Sequence, residues 1–150
     1  MVGYTQKANP EITAKAYGRE IRVSPKHCEE VSRSIRGMNV EVAKNFLKEV
    51  AAKKRPVKYT RYKKFLSHKR GIGPGRFPVK AAEKILGIIE SAQNNAEYKG
   101  LDSENMRIYT IAIHRGRFIK KYMPRAHGRS TRWFDCTSNI EVILEEIEVG

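Results

Sequence analysis

"MRIYTIAI" (Met106–Ile113) and "IEVILEEI" (Ile140–Ile147) decide the fold, together with what lies between them. Both segments alternate apolar and polar residues with a period of two, the pattern of a half-buried strand. Between them stands "KKYMPRAHGRSTRW" (Lys120–Trp133), which holds five Lys and Arg residues, no acid and almost nothing that can pack. A hairpin turning near His127 and Gly128 joins the two strands. That turn position sets Ile111 opposite Leu144 and Ile113 opposite Val142. It gathers Tyr109, Ile111, Ile113, Ile140, Val142 and Leu144 on one face, and on the reverse face it brings His114 near Glu141 and Thr110 near Glu145.

Past Arg115 and before Ile140 the apolar face disappears. At about 3.3 Å per residue the stretch from Arg115 to the turn spans about 40 Å. A free two-stranded ribbon is marginal in water. From Arg107 to Asp135 it carries eight Lys and Arg and one acid. Its natural support is something large and anionic.

Working back toward the N-terminus, three helices are predicted. Ser24 caps the first and Pro25 suits its first position; Cys28, Val31 and Ile35 face inward and Gly37 ends it. Asn39 caps the second, whose stripe is Val42, Ala43, Phe46, Leu47 and Val50, and Pro56 stops it. Pro78 starts the third and longest, with Ala82, Ile85, Leu86, Ile89 and Ala92 inward and Gly100 at its end. "AKAYGREIRVS" alternates and reads as a short strand. The fold class is α+β: three helices packed on a small antiparallel sheet, with a long protruding β-hairpin. At 150 residues the chain is expected to form one domain over residues 1–150. A basic insertion lies at about 53–80 and the hairpin arm at about 115–140.

The charge points to a partner. Thirty Lys and Arg face 16 Asp and Glu, for a net charge of +14. Self-repulsion of that size is relieved by a polyanion. The segment Lys53–Lys80 carries eleven Lys and Arg and no acid, interleaved with Tyr59, Tyr62, Phe65 and Phe77. Cations among rings suit phosphate contacts plus base or sugar stacking; the competing reading is a disordered linker. No apolar run approaches the ~18 residues of a membrane span. The N-terminus lacks the apolar core of a signal peptide, so a cytoplasmic location is expected. Cys28 and Cys136 form no CxxC and read as buried thiols. The four histidines lack metal-ligand spacing, and "GIGPGRFP" lacks the Gly-Lys-Ser/Thr of a phosphate loop. No enzyme, metal or cofactor is indicated. The acids of the helices and last strand read as solubilising.

"AKAYGREIRVSPKHCEEVSRSIRGM", "SAQNNAEYKGLD" and "YMPRAHGRS" occur in the order of their counterparts in the universal large-subunit ribosomal protein family numbered twenty-two in bacterial and seventeen in eukaryotic naming. The chain resembles that family over nearly its whole length, in the archaeal and eukaryotic form with the long basic insertion. The resemblance implies a structural constituent of the large ribosomal subunit that binds large-subunit rRNA, supports assembly, and lines the nascent-peptide exit tunnel with its hairpin. The rRNA contacts would come from Lys54, Arg55, Lys58, Arg61, Lys63, Lys64, Lys69, Arg70 and Arg76 in the insertion. In the arm they would come from Arg115, Arg117, Lys120, Lys121, Arg125, Arg129 and Arg132. Met123, Pro124, Arg125, Ala126, His127, Gly128 and Arg129 would form the tunnel tip. Neighbouring ribosomal proteins and the nascent peptide are further implied partners; no membrane contact and no homo-oligomer are expected. Tyr122 and Trp133, nearly opposed, are expected to stack on bases or on each other. Neither the insertion nor the arm shows a hydrophobic face of its own, so both are expected to be mobile off the ribosome. The other class of reading is a DNA-bending protein whose arm wedges Met123 or Pro124 into a base step.

Overall fold

The computed structural model describes residues 3–147. A three-stranded antiparallel sheet is ordered β1 (Thr13–Ile21), β8 (Asp135–Glu146), β5 (Met106–Ile119), so the last strand in sequence is central. Three helices, α1 (Pro25–Ile35), α2 (Val40–Ala51) and α3 (Val79–Tyr98), cover one face. Ile35, Leu47, Ile85, Ile89, Ile111, Ile140 and Leu144 are fully buried between the layers. Pro25 opens α1 and the Asn39 side chain accepts the Glu41 N–H at 2.9 Å, as expected, whereas Ser24 takes the N-cap position of α1 without a side-chain capping bond. Val42 is the exception in α2, 57% exposed; Val40 takes the inward place.

The hairpin register differs from the expected one by two residues at mid-sheet: Ile111 pairs with Val142 and Ile113 with Ile140. The turn is centred on His127, with Tyr122 opposite Arg132, which moves every partner by one, and an irregularity between Arg115 and Phe118 moves it by one more; a second irregularity, between Ile108 and Thr110, acts only beyond these pairs. An even slip keeps every side chain on its face, so Ile111, Ile140, Val142 and Leu144 still point into the core. The second irregularity then turns Met106 and Ile108 inward and leaves Tyr109 42% exposed.

The reverse face is not a solvated, solubilising one. Glu141 and Ile143 on it are fully buried. The chain near the N-terminus covers them. The Thr5 N–H donates to both Glu141 carboxylate oxygens at 3.1 and 3.2 Å, the Thr5 hydroxyl meets His114 Nε2 at 3.0 Å, and the Tyr4 ring stands edge-on to Tyr17. Thr110 bonds Gln6, not Glu145, which instead pairs with Arg107 at 2.7 Å.

The basic insertion forms a second small sheet: β2 (Val57–Lys58), β4 (Gly73–Arg76), β3 (His68–Lys69), with β4 central. It has the apolar anchor that its composition hides, since Val57 and Tyr59 are buried in the main core. The ground for expecting a mobile insertion therefore does not hold. Gly75 pairs with Lys58 so closely that a Cβ there would lie 2.8 Å from the Val57 carbonyl oxygen. Gly75→Ala must push the paired backbones apart, and should cost about 1–3 kcal/mol in urea unfolding. Amide exchange should locate the loss at Val57–Lys58; unchanged stability would contradict the packing described.

Candidate nucleic-acid interface

The arm continues from β5 and β8 through a short ribbon, β6 (Tyr122–Pro124) paired with β7 (Ser130–Arg132). A single turn of 3₁₀ helix, Ala126–Gly128, closes it. His127 (φ 56°) and Gly128 (φ 67°) both take the left-handed conformation that the reversal needs. The Arg125 N–H donates to the Arg129 carbonyl at 2.8 Å and fixes the loop. Of the seven tip residues Met123 is half-buried and the other six are exposed. The Tyr122 ring meets Phe134 edge-on at 5.9 Å; Trp133, the expected partner, is offset by one residue and exposed.

Ion pairs brace the arm's base. Arg117 reaches Glu20 at 3.1 Å, Lys121 reaches Asp135 at 2.7 Å, and Arg22 contacts the same Asp135 carboxylate. The bonds from Lys121 and then Arg22 hold the Asp135 carboxyl below the usual carboxylate range. Beyond Asp135 the arm carries no acid, and Lys120, Arg125, Arg129 and Arg132 have no ion-pair partner among the described residues.

The insertion is held to α1 by a buried carboxylate. Glu30, fully buried, accepts the N–H groups of Thr60 (3.0 Å), Arg61 (2.8 Å) and Tyr62 (2.8 Å), and the Thr60 hydroxyl at 3.3 Å. Burial pushes its pKa up, but the bonds from Thr60, Tyr62 and Arg61 outweigh burial and leave it lowered. Next to it Glu29 accepts Arg61 at 2.7 Å and the Tyr62 hydroxyl at 3.0 Å. His27 Nδ1 lies 2.6 Å from the Tyr59 hydroxyl. Burial first, then Arg76 and Lys26, lower the His27 pKa and keep the ring uncharged at neutral pH. These ties turn the basic side chains of the insertion outward. Lys54, Arg55, Lys58, Arg61, Lys63, Lys64, Arg70 and Arg76 are exposed, and Lys69 is half-buried with its ammonium 5.5 Å from the centre of the Phe77 ring. Every arm cation named from the sequence is exposed as well.

Two clefts flank the start of α1, the first joining the insertion to the arm's base and the second joining it to α1. One, of about 680 Å³, runs between Arg22, His27, Phe77, Lys80, Phe134 and Asp135. The other, of about 460 Å³, lies between Lys26, Tyr59, Arg61, Phe65 and Arg76. They share Ser24 and His27, so the start of α1 is the hinge point of one basic surface made from two segments far apart in sequence. Sequence reasoning missed Arg22, Lys26 and the anchoring Glu29–Glu30 pair. The available signal was a double acid on a helix preceding an acid-free segment. Cys28 is buried, with its thiol pushed up to about 12, and Cys136 is half-buried rather than buried; neither is bonded to the other. Among the described residues no cluster of His, Cys, Asp and Glu could hold a metal, and no helix is long and apolar enough to cross a membrane.

Residues 16–145 match the profile of the family described as ribosomal protein L22p/L17e. The chain belongs to that family. The matched span takes in both the basic insertion and the arm. A protein of Methanocella arvoryzae named large ribosomal subunit protein uL22 is 47% identical, over 99% of this chain and 96% of its own length. Proteins of the same name from Methanopyrus kandleri and Methanocaldococcus jannaschii are each 49% identical, covering 94% and 95% of this chain and 91% and 94% of their own. The L22p/L17e family is one of ribosomal proteins and not of enzymes.

Proposed function

We propose that the chain is a structural constituent of the cytoplasmic large ribosomal subunit. It binds large-subunit rRNA through the insertion and the arm, supports assembly, and carries its hairpin tip to the wall of the nascent-peptide exit tunnel. One observation carries this reading: a ribbon beyond Asp135 with exposed cations, no acid and no core of its own. Such a ribbon is stable when phosphates surround it. Arg125 and Arg129 can each hold a phosphate through two N–H donors, and the exposed Tyr122 and Trp133 rings offer faces to bases. The body contributes the remaining cations from the insertion, on the same side as the arm's base. Neighbouring large-subunit proteins and the nascent peptide at Met123–Arg129 complete its contacts.

Sedimentation of the native protein tests the reading. It should travel with large particles and leave them on RNase treatment. An RNase-indifferent dimer bound to duplex DNA would overturn it in favour of an architectural DNA-binding arm.

A further inference from the structure

The smaller of the two clefts has a composition that phosphate binding alone does not explain. Phe65 on its rim is 100% exposed. Its backbone sits at φ 58°, a left-handed conformation that is costly for a bulky residue. The fold thus holds a large apolar ring wholly in water, in an unfavourable backbone state, among Lys26, Arg61, Lys64 and Arg76. Tyr62, on the same cleft, has its hydroxyl fixed by Glu29 at 3.0 Å, so its ring is held in place. The floor is rigid as well, because Glu30 pins Thr60, Arg61 and Tyr62.

We propose that this cleft receives one unstacked base of a single-stranded RNA segment, stacked on Phe65, with the flanking phosphates on Arg61, Lys64 and Arg76. The inference rests on the rRNA-binding reading and deepens it. It names one site at which a base rather than the backbone alone is held. The charge of the rim selects a polyanion, and the free ring selects one that has a flat face to offer. A duplex buries its bases against each other and offers phosphates only; an acidic peptide offers no face. The ring would gain the burial that the free protein denies it. The choice of base is left open, because stacking tolerates all four.

The test uses the full chain and three probes: a short single-stranded oligoadenylate, an RNA duplex of equal charge, and a polyglutamate peptide of equal charge. Phe65→Ala should weaken oligoadenylate binding about tenfold or more, the loss of one stacked base. It should leave the duplex unaffected and the salt dependence unchanged, because no cation is removed. Phe65→Trp should restore the affinity, whereas Lys64→Ala should reduce the salt dependence instead. Wild-type affinity of Phe65→Ala for oligoadenylate would overturn the stacking site while leaving RNA binding intact. Polyglutamate binding that depends on Phe65 to the same degree would overturn it in favour of a protein partner. Absence of salt-dependent binding of either RNA by the unaltered chain would overturn the rRNA-binding reading itself.

Discussion

Glu30→Ala is expected to destabilise the protein by about 3 kcal/mol or more, since it leaves three backbone N–H groups and a hydroxyl without their shared acceptor. The loss should be concentrated at the insertion. Val57 and Tyr59 are anchored beside that carboxylate, and freeing Thr60–Tyr62 loosens them. Glu30→Gln should cost less, because one amide oxygen still accepts. Its amide N–H₂ would face donors, so it cannot replace the second oxygen. The pH dependence follows from the direction of the shift. The folded pKa of Glu30 lies below its ordinary 4.5, so its contribution is complete above that value and is lost as the pH falls through the folded pKa. The stability gap between the unaltered chain and Glu30→Gln should therefore be constant near neutrality and shrink on acidification below about 4.5. Urea titrations at several pH values measure it. A gap that widened in acid would contradict the assignment of Glu30 as a buried, charged acceptor.

The second large effect concerns salt. If six to ten of the exposed cations neutralise phosphates, affinity for a large-subunit rRNA fragment should fall by about 10³–10⁵-fold between about 50 and 200 mM salt. Replacing Lys63, Lys64, Lys69 and Arg70 by alanine together should reduce the slope of log affinity against log salt by about three. These four side chains leave the Glu30 anchor untouched, so the variant should fold as the unaltered chain does. A filter-binding series across the salt range measures both. An unchanged slope would remove the insertion from the RNA interface and leave the arm to carry it alone.

How much of this was legible in the sequence differs from element to element. The helices were, because Pro25, Asn39 and Pro78 mark their starts and the apolar spacing marks their faces. The hairpin was legible as a hairpin, and its core face survived a register error because the tip geometry and the irregularity between Arg115 and Phe118 combined to an even slip. Tyr109 shows the limit: alternation assigns it inward, and the irregularity beside it, which no local pattern announces, turns it out. The acids were misread for a related reason. Glu30 and Glu141 look like surface charges until the chain segments that donate to them, Thr60–Tyr62 and Thr5, are placed by tertiary structure. For the candidate interface, the exposure of the cations could be read one by one, since Lys and Arg in acid-free segments have few places to go but the surface. Their meeting at Ser24 and His27 could not, because it depends on how α1 sits between the arm's base and the insertion.

The tip gives the most direct measurement of the central proposal. A photo-crosslinking residue placed at His127, exposed and outside every contact that holds the fold, can be carried into assembled ribosomal particles bearing a stalled, labelled nascent chain. The same residue at Phe65 serves as the control within the insertion. The expected result is a crosslink from position 127 to the nascent peptide and from position 65 to rRNA only. Particles in which position 127 reacts with rRNA or a neighbouring protein and never with the peptide, at full occupancy, would contradict the assignment of the arm to the tunnel wall.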